Sequence, residues 1–220
     1  GQNNLLFSFK DPVDIPGLIS GPNGTLVDDS DIVRFVPVSL GSTTSGSFIF
    51  YFDASDVGLD TNAEDVNSVA INPANGKLVL STAGSGASGA LSWTRQDLIE
   101  FTAGQLGANT TGTWAMYFDG SDVGLADAAE NIDGATVRAD GTIMLTTTGL
   151  FTVPGATGTS QDLLKFTPIT LGDSTSGVYS LFLDLSSVGI DPTENVVGLC
   201  MTAEGPQGDV PVCEVDLNAD

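Results

Sequence analysis

The stretch Phe118-Asp119-Gly120-Ser121-Asp122-Val123-Gly124-Leu125 decides the fold class, because similar stretches stand on both sides of it. Residues 52–59 read FDASDVGL and residues 183–190 read LDLSSVGI, so the three stretches begin 66 and then 65 residues apart. A second series, DIVRF at 31–35, DLIEF at 97–101 and DLLKF at 162–166, repeats with the same steps. Internal repetition of this kind predicts an array of similar structural units.

The repeat predicts one continuous domain over 1–220, with three units of about 65 residues at 4–74, 77–139 and 142–203 and a tail at 204–220. Each unit reads as four short strands, because β-branched and aromatic runs are separated by Gly, Asn, Asp and Pro. In the third unit we expect these strands near 142–148, 162–168, 177–184 and 196–203. Asn75-Gly76 and Asp140-Gly141 are tight-turn dipeptides that join the fourth strand of one unit to the first strand of the next.

The third strand of each unit predicts burial on both faces. In strict alternation Phe48, Phe50 and Phe52 would point to one side, and Ile49, Tyr51 and Asp53 would point to the other. Both sides are largely apolar, which is typical of strands that are covered twice. Stacked four-stranded sheets, as in a propeller, provide that environment, so we predict an all-β, propeller-like fold.

Three units are fewer than the four to eight blades of a closed propeller. The first strand of the first unit, at 5–9, and the fourth strand of the last unit, at 196–203, are complementary open ends. They pair either within one chain or between chains, and the second option is strand exchange that builds a polymer. The residues expected in such an intersubunit strand are Leu5, Leu6, Phe7 and Phe9.

Composition excludes several classes of function. The 220 residues carry a formal charge of −22, and such a field repels nucleic acid and anionic membranes. No segment is long and apolar enough to be a membrane-spanning helix. The chain has no histidine, which removes Ser-His-Asp and Cys-His catalysis. We therefore predict no enzyme activity; a glycoside hydrolase with paired carboxylates is the weakest alternative.

Calcium is the cofactor that the acidic residues favour, because Ca²⁺ takes six to eight oxygen ligands from turn-rich segments. The candidate ligands recur with the repeat: Asp53, Asp56 and Glu64 in the first unit, and Asp119, Asp122 and Glu130 in the second. The alternative is structural, since Asp in turns also accepts hydrogen bonds from nearby backbone N–H groups.

Three further features suggest an extracellular or cell-surface location. Cys200 and Cys213 are the only cysteines, and a disulfide between them would form in an oxidising compartment; two buried free thiols are the alternative. Asn23 and Asn109 begin glycosylation sequons, so glycans are possible partners.

The strings at 97–102, 118–125 and 162–168 give the chain a resemblance to a repeat found in secreted and surface-displayed proteins of environmental bacteria. The resemblance covers nearly the entire chain and implies an extracellular location and a propeller-like fold, without an assigned activity. The end of the chain, 212–220, resembles the start of a dockerin or EF-hand-type calcium loop. That likeness implies Asp216, Asn218 and Asp220 as calcium ligands and a gene product that continues beyond Asp220.

Two functions remain from this reasoning besides the hydrolase. The first is a structural protein, a subunit of an extracellular bacterial filament or surface layer that self-assembles by β-strand pairing. The second is a calcium-dependent adhesion or carbohydrate-binding module, for which Trp93 is the candidate stacking residue, whereas Trp114 is expected in the core.

Overall fold

The computed structural model describes residues 4–199, and these residues confirm the all-β prediction. The only helical elements in this range are four 3-10 turns of three residues, η1 (Ser55–Val57), η2 (Ser121–Val123), η3 (Ala128–Glu130) and η4 (Ser186–Val188). Everything else consists of short strands, turns and loops.

Three antiparallel sheets follow one another along the chain. The first sheet has the order β1 (Leu5–Phe7), β4 (Ile32–Ser39), β5 (Ser45–Phe52). The second has the order β6 (Val66–Ile71), β7 (Leu78–Thr82), β10 (Leu98–Gln105), β11 (Thr111–Phe118), and the third β12 (Ile132–Val137), β13 (Ile143–Thr147), β16 (Leu163–Thr170), β17 (Ser176–Leu183). A small hairpin precedes the last two strands of each sheet in the chain: β2 (Val13–Asp14) with β3 (Leu26–Val27), β8 (Gly86–Ser88) with β9 (Leu91–Trp93), and β14 (Phe151–Val153) with β15 (Ala156–Gly158).

The tight turns lie where the sequence predicts them. Gly76 has φ +73° and joins β6 to β7, and Gly141 has φ +82° and joins β12 to β13. Both values lie in the left-handed region that glycine adopts without strain. Each four-stranded sheet therefore combines the fourth predicted strand of one unit with the first three of the next.

The sheets share cross-strand aromatic pairs at corresponding positions. The pairs are Phe35 with Phe48, Phe101 with Trp114 and Phe166 with Tyr179, and their ring centroids lie 4.9, 4.7 and 4.9 Å apart. Aromatic pairs of this type contribute roughly 0.2–1 kcal/mol each beyond a pair of alanines. They stabilise each long hairpin and fix its register.

The strict alternation predicted for the third strand is wrong at its last residue. Phe50 pairs with Val33, but Phe52 pairs with the next residue along β4, Ile32, so Tyr51 is the extra residue of a β-bulge. A bulge changes which face the following side chain joins. Phe48 and Phe50 accordingly pack in the core of the first sheet, whereas Phe52 belongs to the core of the second.

Residues 4–199 form no closed barrel or propeller. Of the fourth strand expected at 196–203, residues 196–199 are not in a strand, and the remainder lies outside the part that the structure describes. No helix in residues 4–199 is long and apolar enough to cross a membrane.

Candidate functional site

The contact between consecutive sheets, which we call the joint, is built from the β-bulge. The Tyr51 carbonyl, in the bulge of β5, accepts a hydrogen bond from the Gly107 N–H of the second sheet at 2.8 Å. Next to it, the Asp53 N–H donates to Thr110 Oγ1 at 2.9 Å. Thr110 is held in place because its hydroxyl donates to the Gly107 carbonyl at 2.7 Å.

The second joint repeats these contacts. The Gly172 N–H donates to the Tyr117 carbonyl at 2.9 Å, and the Asp119 N–H donates to Thr175 Oγ1 at 2.9 Å. Burial at this joint raises the pKa of Tyr117 to about 12. Two joints with the same donors and acceptors define how one sheet packs on the next.

Aromatic rings fill the centre of both joints. Phe52 meets Phe101 of the second sheet edge-to-face at 5.2 Å, and Phe118 meets Phe166 of the third sheet at 5.0 Å. All four side chains are fully buried. Edge-to-face pairs add about 0.5–1.5 kcal/mol to the free energy of burial.

The aspartate that opens each DIVRF-type string stabilises the loop after the third strand. Asp97 Oδ1 accepts the Gly120 N–H at 2.9 Å, while Oδ2 accepts the Thr94 N–H at 2.7 Å and the Thr94 hydroxyl at 2.9 Å. Asp31 and Asp162 make corresponding contacts with Ala54 and Leu185. Burial raises the pKa of Asp97, and it raises that of Asp31 to about 6. The repeat alone did not reveal this role.

The two glutamates predicted as calcium ligands are buried and already hydrogen-bonded. Glu130 Oε2 accepts the N–H groups of Ala126 and Asp127 at 2.7 and 2.8 Å, and Oε1 accepts that of Thr152 at 2.8 Å. Glu64 corresponds to it and accepts from Asp60, Thr61 and Ala87. Each carboxylate thus holds its own loop against the following small hairpin.

Of the four aspartate ligands predicted in the first two units, three accept hydrogen bonds from different groups. Asp53 accepts the Ser55 hydroxyl, and Asp119 accepts from Ser121 and the Asp122 N–H. Asp122 accepts the Thr175 N–H at 2.9 Å, while Asp56 is exposed. Within residues 4–199 no group of three or more Asp, Glu or Cys side chains lies close enough to hold a metal ion.

The remaining predicted residues divide into two sets. Asn23 and Asn109 lie on the surface. Cys200, Cys213, Asp216, Asn218 and Asp220 lie outside the described residues, so the disulfide and the C-terminal calcium loop stay predictions.

Trp93 lacks the exposure that sugar stacking needs. Its side chain is 3% exposed, and its indole N–H donates to Thr82 Oγ1 at 2.9 Å. Trp114 packs on Phe101 as expected and donates its indole N–H to the Val57 carbonyl. Both indoles therefore serve the core.

β6 and β12, the first strands of the second and third sheets, lie side by side, and both line a cavity of about 480 Å³. The Asp133 carboxylate of β12 accepts from Asn67 of β6 at 3.2 Å and from Asn195 at 2.7 Å. The segment after Asn195 begins as β6 and β12 do, because the Val196 N–H donates to the Ser160 carbonyl at 3.2 Å. Residues 195–199 therefore occupy the position of a first strand beside the third sheet.

The rim of this cavity carries a carboxylate with a raised pKa. Burial and the nearby Asp29 and Asp28 raise the pKa of Asp65 to about 6. Asn131 and Asn195 stand at the corresponding positions beside β12 and at the start of segment 195–199. The cavity rim therefore carries a carboxylate beside β6 where an amide stands beside β12 and at the start of segment 195–199.

The first sheet has no such strand among the described residues, so β1 forms its edge. Leu5, Leu6 and Phe7, predicted in an intersubunit strand, pair with β4 of their own chain. Phe9 follows β1 and lines the same cavity as Asn195.

No family model, curated protein or solved structure matches the chain.

Proposed function

We propose that the protein is a non-enzymatic structural subunit of an extracellular bacterial filament or surface layer, built from three propeller-like units that polymerise by β-strand pairing between chains. The observation that carries this proposal is a mismatch between sheets. Within residues 4–199, β1 is the edge strand of the first sheet, whereas segment 195–199 has the position of a first strand and no described sheet beyond it to join.

The register of the proposed pairing follows from the complete sheets. In the second sheet Ser68 lies opposite Ser81, and in the third sheet Gly134 lies opposite Thr146. Ser8, which directly follows β1, and Gly198 of segment 195–199 stand at the corresponding positions. The Ser81 and Ser68 hydroxyl oxygens are 3.0 Å apart, which is close enough for a disulfide if both positions carry cysteine.

A crosslinking experiment tests the pairing. In a Cys200→Ser, Cys213→Ser background, one chain carries Ser8→Cys and another carries Gly198→Cys. After mixing and oxidation we expect a covalent heterodimer. Val197→Cys in place of Gly198→Cys is the matched control, because neighbouring strand residues point to opposite faces.

Light scattering on the unmodified chain decides the assembly itself. We expect a mass that grows with concentration, and we expect a chain ending at Asn195 to remain monomeric. A monomer at every concentration would contradict the proposal. A disulfide within one chain that carries both cysteines would show closure in cis instead.

The calcium-dependent adhesion alternative remains a second proposal, and calcium its proposed cofactor. Repeating the light scattering in calcium and in EDTA tests whether Ca²⁺ controls assembly. An unchanged mass in the two buffers would remove the metal from the assembly model.

A further inference from the structure

The outer face of the third sheet exposes side chains that the other sheets bury. Ile190 is 43% exposed, whereas Leu59 and Leu125, at the corresponding positions, are both 0% exposed. The loop conformation is the same in all three cases, since each residue donates its N–H five residues back, as Ile190 does to the Leu185 carbonyl at 3.1 Å. What differs is the absence of a following sheet among the described residues.

Other residues on this face agree. Phe182 is 45% exposed, although Tyr51 and Tyr117 at its position are partly buried in joints. A Cβ on Gly58 would meet Ser88 at 3.1 Å, and one on Gly124 would meet Pro154 at 2.9 Å, but Gly189 has no atom within 4 Å. We call Phe182, Val188, Gly189 and Ile190 the tail face.

The first sheet presents the other half of a joint at its tip. The Thr44 hydroxyl donates to the Gly41 carbonyl at 2.7 Å, as Thr110 and Thr175 do to Gly107 and Gly172. Thr110 and Thr175 are buried, and the hydroxyl oxygen of each accepts an N–H from the preceding sheet. Thr44 is exposed, and so are Gly41 and Leu40. We call Leu40, Gly41 and Thr44 the head tip.

Part of the first sheet is covered by its own chain. Ile15 and Leu18, between β2 and β3, pack on Val33 and Phe50. Ile19 also extends the edge of β5, exchanging hydrogen bonds with Phe48 and Phe50. The contact available to a partner is therefore the head tip rather than the complete face.

We propose that the tail face of one copy binds the head tip of a second copy, in the geometry of the two joints within the chain. The Gly41 N–H would donate to the Phe182 carbonyl, and the Asp184 N–H to Thr44 Oγ1. The occupant is a second copy because one chain carries both halves of a contact that it already makes twice. The same placement brings segment 195–199 to the position that β6 has beside β7, along β1 of the second copy.

This inference rests on the proposed function and goes further by assigning the surface that orients the subunits head to tail. Such a heterologous contact closes into a ring or continues as a filament, depending on the rotation per subunit. Two copies would place six sheets in sequence, within the range of closed propellers.

Two substitutions test the contact on the full chain, with dissociation constants from sedimentation velocity. Ile190→Lys should weaken association about tenfold or more, since it removes an apolar group from the joint and adds a charge. Thr44→Val keeps the shape and removes the acceptor, so we expect a weakening of about threefold to tenfold.

The controls are Leu150→Lys, at a side chain that is 68% exposed, and Thr43→Val, beside the head tip. Neither should change the dissociation constant. Association that both test variants leave unchanged would overturn the head-to-tail joint while the proposed strand pairing stands. A wild-type monomer would overturn both, and circular dichroism shows whether each variant is folded.

Discussion

Glu130→Ala separates a structural role of this carboxylate from calcium binding. The side chain is 2% exposed and accepts three backbone N–H groups, at 2.7, 2.8 and 2.8 Å. Residues 126, 127 and 152, which supply these groups, have exposed surface, so water can partly replace the lost acceptor. At about 1 kcal/mol for each bond, the free energy of unfolding should fall by about 3 kcal/mol.

Urea unfolding followed by tryptophan fluorescence measures this change, once in calcium and once in EDTA. We expect the same loss in both buffers, because the donors belong to the protein. Glu194→Ala is the matched control: Glu194 stands at the corresponding position of the third unit but is exposed, so its loss should cost less than about 0.5 kcal/mol. A loss for Glu130→Ala that is seen only in calcium would refute the reasoning and identify the residue as a ligand.

Two other predictions concern pH and the joints. Burial raises the folded-state pKa of Asp31 and of Asp65 to about 6. Protonation of either carboxyl therefore stabilises the folded state, and this contribution to the free energy of unfolding is lost as the pH rises from about 4 through 6. The Tm should therefore increase on acidification from pH 7.5 to 5, and a Tm that falls would contradict this. Asp65→Asn places at this position the residue found at 131 and 195. This variant should raise the Tm at pH 7.5 and reduce the pH dependence of the Tm. Phe118→Ala removes a fully buried ring from the second joint and should lower the free energy of unfolding by about 3–5 kcal/mol in urea titrations, while Ile169→Ala, at a 78% exposed side chain, should change it by less than about 0.5 kcal/mol. Equal losses for the two variants would show that Phe118 does not hold the joint.

The strand positions were predictable because they depend on local sequence. The strands expected at 142–148, 162–168 and 177–184 correspond to β13, β16 and β17 within two residues at each end. The turns at Gly76 and Gly141 were predictable for the same reason, since a positive φ favours glycine.

The candidate site was less predictable. The acidic residues recur with the repeat, and this pattern fits either metal binding or loop stabilisation. Both roles use the same carboxylate oxygens. Only the folded chain shows that Glu64 and Glu130 are surrounded by N–H groups of their own loops and of the next hairpin. The small hairpins that supply Ala87 and Thr152 have strands of three residues, too short for a periodic signal.

The amino-acid sequence by itself determined the all-β class and the places of the turns and long strands, because strand propensity, glycine and spacing act over a few residues. Tertiary structure decided which face Phe52 and Phe118 join, since a bulge at Tyr51 or Tyr117 depends on the pairing with the neighbouring strand. It also decided which apolar side chains are covered. Leu125 and Ile190 look alike in the sequence, and one is buried while the other is exposed, because burial depends on whether another sheet lies against the residue.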